Sequence, residues 1–258
     1  MSNNRKSIAA VIILFLIAPL LVQCGTKESG AIRIMSYNIR NCKGMDDIVD
    51  FDRVADVIIR TTPDVVALQE LDSVTRRYSG AFVLKELADR TSMHYIFAPA
   101  IDFQGGKYGI GILSKEKPVS VRQIPLPGEE KRTFLIAEFK NYFLCCTHLA
   151  LEKEAREESV SIILEAVKDI KKPLFLAGDM NAEYGSTEQI ALCKGFTMLS
   201  DYTRNTFPAD NPDRCIDFIY GYNNGYQYTV INSSVLEEAI ASDHRPLFAD
   251  IRYHPVGN

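Results

Sequence analysis

The sequence predicts an α/β domain in which short buried strands alternate with amphipathic helices. Apolar runs of strand length recur along the chain, and several of them end directly in Asp, Asn, Glu or His. Between these runs, residues 50–60 and 152–172 place apolar side chains at helical spacing on one face. The 258 residues, of which 47% are hydrophobic, are enough for one domain with a sizeable core.

The most informative strand is predicted at 173–177, where a proline and four apolar residues precede Gly178, Asp179, Met180 and Asn181. A buried strand here would deliver Asp179 and Asn181 to its carboxyl end, where sheets of this class bind ligands. Alternation along an extended strand would aim both side chains the same way. A carboxylate can orient or deprotonate a water, and an amide can donate to a phosphate oxygen. An ordinary turn after a strand explains these residues equally well.

Further polar residues border other predicted strands. In chain order they are Asn38 after 34–37, Glu70 after 65–69, Thr147 and His148 after 142–146, and Asp243 with His244 before 247–251. Asp217 lies inside another apolar segment, 216–220, where a carboxylate is costly to bury unless it is paired, and a histidine is the obvious partner. As one pocket, this set of carboxylates, imidazoles and amides suits metal-assisted attack of water on a phosphorus ester.

Helices are predicted between these strands. Residues 50–60 carry Phe51, Val54, Ala55, Ile58 and Ile59 on one face, and residues 152–172 carry Ala155, Val160, Ile163, Leu164 and Val167 on another. Ser186, followed three residues later by Gln189, predicts a capping box at the start of a third helix. The charged run 152–158 is interpreted as the solvated face of its helix.

Seven segments extend the pattern to a family. In order, the chain contains MSYNIR, PDVVALQE, YGIGILSK, THL, GDMNA, IDFIY and SDHRPL. This series resembles the motifs of the endonuclease/exonuclease/phosphatase superfamily and spans about residues 32–251. The resemblance implies a four-layer α/β sandwich of the DNase I-like kind, with two packed mixed β-sheets flanked by helices. It also places the site at the top, between the sheets.

The resemblance assigns roles to individual residues. By resemblance, Glu70, Asp243 and Asn38 hold the metal, Asn38 and Tyr108 contact the phosphate, and the catalytic set comprises His148, Asp179, Asn181, Asp217 and His244. Asp179 is similar to the aspartate that positions or activates the attacking water, and His244 to an imidazole that Asp217 orients. Whether Asp179 or His244 is the base stays open. Asn38 could instead cap the next segment, and Tyr108, expected directly before a strand at 109–114, could be a core aromatic.

The ligand chemistry indicates Mg²⁺, with Mn²⁺ able to replace it. Glu70 and Asp243 offer only oxygen atoms, which hard cations prefer. The cysteines have no zinc-like spacing. Three arginines, Arg40, Arg132 and Arg156, could bind substrate phosphate, because a guanidinium suits bidentate contact. Surface salt bridges explain these arginines at least as well.

The amino terminus has the features of an export signal. Arg5 and Lys6 precede an uncharged run at 8–22, which is shorter than the ~20 residues that span a bilayer core. Its end resembles a bacterial lipobox in which Cys24 would be acylated, although Gln23 replaces the usual small residue. We therefore expect a signal peptide at 1–24, a tether at 25–30 and one domain at 31–253. We expect an exported lipoprotein of the cell envelope, and an uncleaved anchor is the alternative.

Composition bears on the substrate. The net charge is −4, with no lysine-arginine stripe and no tryptophan, which disfavours a long phosphate backbone. Family members that cut at abasic sites carry tryptophans near their last motifs, whereas residues 206–212 resemble less specialised exported hydrolases and sphingomyelinase-like members. We expect a monomer that hydrolyses a small or lipid-linked phosphodiester or phosphomonoester. A nuclease is the runner-up, and a surface binding module without chemistry is the second alternative.

Overall fold

The computed structural model describes residues 29–257, in which strands and helices alternate as expected. The strands are β1 (Gly30–Asn38), β2 (Val65–Ser73), β3 (His94–Phe103), β4 (Gly106–Ser114), β5 (Ser120–Leu126), β6 (Arg132–Glu138), β7 (Phe143–His148), β8 (Leu174–Asp179), β9 (Phe196–Met198), β10 (Asp217–Tyr222), β11 (Tyr226–Val235) and β12 (Leu247–Pro255). The α-helices are α1 (Phe51–Thr61), α2 (Val83–Thr91), α3 (Lys153–Val167) and α4 (Thr187–Leu192).

The strands form two six-stranded mixed sheets. The first has the order β11-β12-β1-β2-β4-β3, and the second has the order β5-β6-β7-β8-β10-β9. Each contains one parallel pair, β1 with β2 and β7 with β8, among antiparallel neighbours. The carboxyl ends of β7 and β8 are in register, because His148 pairs with Asp179. Polar residues that end these strands therefore meet at one edge of the sheet.

Apolar side chains fill three layers of core. One cluster lies between the two sheets, a second joins α1 and α2 to the first sheet, and a third joins α3 and α4 to the second sheet. The alternation of β1 shows how one strand serves two layers: Ile34 belongs to the cluster between the sheets, and Met35 to the cluster under the helices. The predicted four-layer α/β sandwich is confirmed.

Helix boundaries differ in detail from the sequence prediction. Helix α1 begins after Asp50, whose side chain accepts a hydrogen bond from Arg53 N. Helix α3 ends at Val167, five residues before the predicted end at Lys172. Residues 168–173 turn into β8, because Pro173 disfavours helical backbone at the residue before it. The Asn224 side chain binds the carbonyls of Ile170 and Lys172 and holds this turn.

The capping box predicted for the third helix, which is α4 in the structure, is half formed. The Ser186 hydroxyl accepts a hydrogen bond from Gln189 N, as predicted. The Gln189 side chain does not return to Ser186, since its amide contacts Ala182 O and the Tyr220 hydroxyl. Helix α4 is correspondingly short, at six residues.

The predicted leader at 1–24, with Cys24, lies outside the described residues, as does most of the predicted tether. Within residues 29–257, no helix is both long enough and apolar enough to cross a membrane. The cysteines in this part of the chain, Cys42, Cys145, Cys146, Cys193 and Cys215, are free thiols.

Candidate active site

Strand ends of both sheets bring the predicted site residues together. The first sheet contributes Asn38 from the end of β1 and Glu70 from β2, and the second contributes Asp179 from the end of β8. Asn38 Nδ2 donates hydrogen bonds to Glu70 Oε1 at 3.0 Å and to Asp179 Oδ2 at 3.1 Å. One buried amide therefore joins a carboxylate of each sheet.

Glu70 owes its position to a β-bulge. The pairing of β2 with β4 shifts register between Leu68 and Leu71, and Glu70 has a positive φ of 59°. A bulge re-aims a side chain that regular alternation would place elsewhere. A left-handed backbone at a residue other than glycine costs free energy, on the order of 1–3 kcal/mol, which the surrounding pairs of β2 must offset.

The His244 ring is held on one side by a carboxylate. His244 Nδ1 lies 2.9 Å from Asp217 Oδ2, and the Thr206 hydroxyl donates to the same oxygen at 2.6 Å. Because a carboxylate only accepts, Nδ1 carries a proton, and Nε2 points toward Asp179 Oδ2, 3.7 Å away. Burial alone would lower the pKa of His244, but the charges of Asp217 and Asp179 outweigh it and raise the pKa to about 10.

His148 has the opposite electrostatic environment. Its Nε2 atom lies 3.4 Å from Asp179 Oδ2, and the side chain is buried at the end of β7. Burial lowers the pKa of His148 to about 3, and the charge of Asp179 offsets only part of this effect. His148 is therefore neutral near pH 7. The two imidazoles face the same oxygen of Asp179.

The predicted strand alternation from Asp179 to Asn181 is wrong. Strand β8 ends at Asp179, and Asn181 adopts a left-handed backbone with φ of 48°. Asp179 Oδ1 accepts a hydrogen bond from Asn181 N at 2.9 Å, which closes a tight turn. Asn181 Nδ2 donates to the carbonyl of Leu149, the residue after His148. The amide thus borders the site through this turn, not through strand alternation.

The carboxylates fit a divalent cation. Burial raises the pKa of Glu70, and the charges of Asp243 and Asp179 raise it further. The only basic side chain that ion-pairs with these three among residues 29–257, apart from the two imidazoles, is Arg40, with Nε 3.5 Å from Asp243 Oδ2. Clustered, partly buried carboxylates suit a cation with oxygen ligands.

Two details refine the predicted ligand set. Ligand atoms of Asp179, Asp217 and His244 lie within 4.8 Å of one another. Asp217 Oδ2 already accepts hydrogen bonds from His244 Nδ1 and from the Thr206 hydroxyl. Thr206, Asp217 and His244 therefore form a hydrogen-bonded chain. Asn38 Nδ2 faces both carboxylates and its Oδ1 accepts from Arg40 N, so Asn38 holds Glu70 and Asp179 in place. Its contact with a metal stays a prediction.

The predicted phosphate contacts separate into two groups. Tyr108 and Arg40 line one cavity with Glu70. Tyr108 lies inside β4 rather than directly before the strand, because β4 continues back to Gly106, which pairs with Phe103 of β3. Two other arginines are held by acidic partners: Arg132 pairs with Glu130, and Arg156 Nε lies 2.6 Å from Glu188 Oε1. For these two arginines the salt-bridge explanation fits the structure.

Several residues at the site were not predicted. Thr206 supports Asp217, the Phe207 ring lies 4.7 Å from the His244 ring, and the Ser242 hydroxyl donates to Asn38 O at 2.7 Å. Ser242 is the first residue of the SDHRPL motif, and Thr206 is the first residue of the segment 206–212. Neither spacing nor residue type identifies these contacts, since each depends on a partner distant in the chain.

Comparisons with known proteins identify the family and the fold. A family model described as Endonuclease/Exonuclease/phosphatase family matches residues 35–244. No curated protein matches the chain. Among solved structures, the chain is similar to the endonuclease/exonuclease/phosphatase from Beutenbergia cavernae DSM 12333, with a TM-score of 0.70 and 21% identity over 86% of this chain and 71% of that one.

Two further similar structures have more specific descriptions. A mannosyl-6-phosphatase from Bacteroides thetaiotaomicron VPI-5482 has a TM-score of 0.67 and 18% identity over 85% of this chain and 99% of its own. D. rerio TDP2 complexed with single strand DNA product has a TM-score of 0.67 and 21% identity, over 86% of this chain and 98% of its own. At these identities, the similarity shows a shared fold.

Proposed function

The chain belongs to the endonuclease/exonuclease/phosphatase family, and from this membership we propose that it is a divalent-metal-dependent hydrolase of phosphate esters. The observation that carries the proposal is the meeting of Glu70 and Asp179, joined by Asn38, with two imidazoles around Asp179. This set of groups can bind a cation, orient a water and donate to a phosphate oxygen. These retained groups favour an enzyme over a binding module without chemistry.

Glu70 and Asp243 are the proposed metal ligands, with Mg²⁺ as the physiological ion and Mn²⁺ able to replace it. Carboxylate oxygens suit both ions, and the site contains no thiolate ligand among the described residues. When bound, the ion would neutralise charge on the phosphate and on the leaving oxygen.

The protein groups divide the remaining work. Asp179 and His244 act as a unit that positions the attacking water, because His244 Nε2 faces Asp179 while Asp217 holds the opposite ring nitrogen. The neighbouring carboxylates keep His244 protonated near pH 7, so Asp179 is the member of the pair that takes the water's proton. Neutral His148 donates a hydrogen bond from its Nε2–H group to a non-bridging phosphate oxygen. Asn181 borders His148 through Leu149, and Tyr108 and Arg40 lie on the substrate side of Glu70.

A small or lipid-linked ester is the proposed substrate. The net charge of −4 argues against tight binding of a long phosphate backbone. The similarity to a mannosyl-6-phosphatase is consistent with a small phosphomonoester. The similarity to a structure complexed with single strand DNA product keeps a nuclease as the alternative.

We also propose a location for this activity. The features of residues 1–24 support export to the cell envelope and a lipid on Cys24, with the protein acting as a monomer. This part of the proposal rests on the sequence.

A substrate panel tests the proposal. The full-length protein, in mild detergent, would be assayed with sugar phosphates, phosphoinositides, sphingomyelin, and single- and double-stranded DNA. We expect turnover of a small or lipid-linked ester with Mg²⁺, loss of turnover in EDTA, and recovery when Mg²⁺ or Mn²⁺ is added back. Full activity in EDTA would contradict the metal, and faster cleavage of DNA than of every small ester would favour the nuclease.

A further inference from the structure

A cavity of about 300 Å³ adjoins Glu70 on the substrate side of the site. Its lining includes Arg40, Asn41 and Lys43, which follow β1, and Phe103 and Tyr108 from β3 and β4. The hydrolysis described above uses only the edge of this cavity. The remainder is therefore available to the part of the substrate that carries the phosphate.

Asn41 is the residue that points to a ligand. Its side chain is only 3% exposed and lines the cavity, yet its Oδ1 atom has no hydrogen-bond partner within residues 29–257. An unsatisfied buried acceptor is unfavourable, so a hydroxyl or amine that donates to it would be bound. The acceptor is held in position by a left-handed turn, in which Arg40, Asn41 and Cys42 have φ of 44°, 54° and 60°.

Aromatic rings form another wall of the cavity. The Arg77 guanidinium lies 4.6 Å from the Phe103 ring centroid and 5.7 Å from that of Tyr108. Arg77 is also held by buried Asp72, through Nε at 2.5 Å and Nη2 at 2.7 Å. Because its charge is paired and its face is covered, Arg77 serves to fix the rings. This wall can contact the C–H face of a ring-shaped ligand.

Charged groups of both signs surround the opening. Lys43 is 36% exposed and Glu130 is 47% exposed, so both side chains can move toward a ligand. Lys43 offers hydrogen-bond donors, whereas Glu130 and Asn41 Oδ1 offer acceptors. A hydroxyl group both donates and accepts, so several hydroxyls on one ring match this lining. A lipid chain would leave these polar groups unpaired.

The volume limits the size of the ligand. A cavity of about 300 Å³ is at the lower end of small-molecule sites, which range over roughly 300–1,000 Å³. It suits one ring with its substituents and is too small for several nucleotides. We propose that this cavity binds the hydroxylated ring of a phosphate monoester, such as a hexose or a cyclitol, whose phosphate lies beside Glu70. This inference rests on the proposed hydrolysis and specifies its substrate class.

The test compares three phosphate esters of equal carbon number. Mannose 6-phosphate and glucose 6-phosphate carry ring hydroxyls, whereas hexyl phosphate carries none. For the wild type we expect kcat/KM for the better sugar phosphate to exceed that for hexyl phosphate by at least ~10², because a site that hydrogen-bonds a hydroxyl discriminates strongly against an analogue that lacks it. Asn41→Gly keeps the left-handed backbone and removes the acceptor, so it should reduce this ratio about tenfold or more.

Two further variants keep the test decisive. Ser92→Gly is the matched control, because Ser92 is exposed, has φ of 55° and lies at the end of α2, away from the cavity; its ratio should equal that of the wild type. Lys43→Met removes a donor from a partly exposed side chain and should also lower the ratio. This variant still tests the cavity if Asn41→Gly fails to fold.

The outcomes separate this inference from the proposed function. Equal efficiency of the wild type on the sugar phosphates and on hexyl phosphate, or an equal effect of Asn41→Gly or Lys43→Met on both kinds of ester, would overturn the cavity assignment and leave the phosphoesterase intact. Absence of hydrolysis of these esters and of every substrate in the panel above would overturn the proposed function. In that case, saturation-transfer NMR with mannose 6-phosphate would test the cavity alone, and equal binding to the wild type and to both cavity variants would refute it.

Discussion

Asp217 Oδ2 and His244 Nδ1 lie 2.9 Å apart although 27 residues separate them in the chain. Asp217 begins β10 in the second sheet, whereas His244 precedes β12 in the first. The pair thus joins the two sheets at the site, and it aims Nε2 of His244 toward Asp179. A carboxylate that orients an imidazole in this way affects chemistry more than stability.

We therefore expect Asp217→Asn to lower kcat by at least ~10², because an amide no longer fixes the tautomer and orientation of His244. The melting temperature should fall by only a few degrees. Asp213→Asn is the matched control, since Asp213 is exposed in the preceding loop and pairs with Arg214. Turnover within threefold of the wild type in Asp217→Asn would show that this contact is not used in catalysis.

Removal of the site groups should be far more severe. Glu70→Ala, His148→Ala, Asp179→Ala and His244→Ala should each lower turnover by at least ~10³, or about 4 kcal/mol of barrier. In a double variant the barrier should rise by much less than the sum of the two single increases, because the effects of groups that act as a unit are not additive. His254→Ala, which removes an exposed histidine at the far end of β12, should remain fully active. A His148→Ala enzyme within a few-fold of the wild type would contradict the proposed site.

Acid stability should depend on the Arg33–Asp250 pair. Arg33 Nε and Nη2 bind the two oxygens of Asp250 at 2.6 and 2.8 Å, joining β1 to β12. The hydrogen bond with Arg33 holds the pKa of Asp250 below its usual value. This stabilisation is present above the unfolded pKa of about 3.9 and is lost as the pH falls through the folded pKa.

Urea unfolding of the wild type and Asp250→Asn at pH 7 and pH 3 measures this effect. Asp250→Asn should be less stable by about 1 kcal/mol at pH 7, and the difference should shrink at pH 3. Asp89→Asn, which removes an exposed partner of Lys85, should show little difference at either pH. If the difference in the free energy of unfolding between the wild type and Asp250→Asn is the same at both pH values, protonation of Asp250 does not control acid stability.

The leader makes a separate prediction about location. We expect the mature protein to begin at Cys24, to carry a lipid and to partition into the membrane fraction of its native host. Cys24→Ala should release the protein or stall its processing, while Cys193→Ala, within the domain, should leave partitioning unchanged. Mass spectrometry that finds an intact Met1 or an unmodified Cys24 would refute the lipid anchor.

Local patterns predicted a large part of this protein. The apolar run before Asp179 indicated a buried strand, the spacing at 50–60 indicated α1, and the ordered motifs indicated the sandwich and most site residues. Even the Asp217–His244 contact was predictable, because a carboxylate in an apolar strand needs a partner. These inferences succeed because periodicity and the cost of burying charge are encoded within short segments.

Only the tertiary structure decided the finer geometry. The bulge that aims Glu70 depends on pairing with β4, and the left-handed turn at Asn181 replaces the alternation that its spacing suggested. The Asn38 bridge from Glu70 to Asp179 and the cavity around Asn41 each bring together segments from distant parts of the chain. A sequence specifies which residues are buried and at what period. Strand register and sheet packing determine which of them touch, because these depend on contacts summed over the whole core.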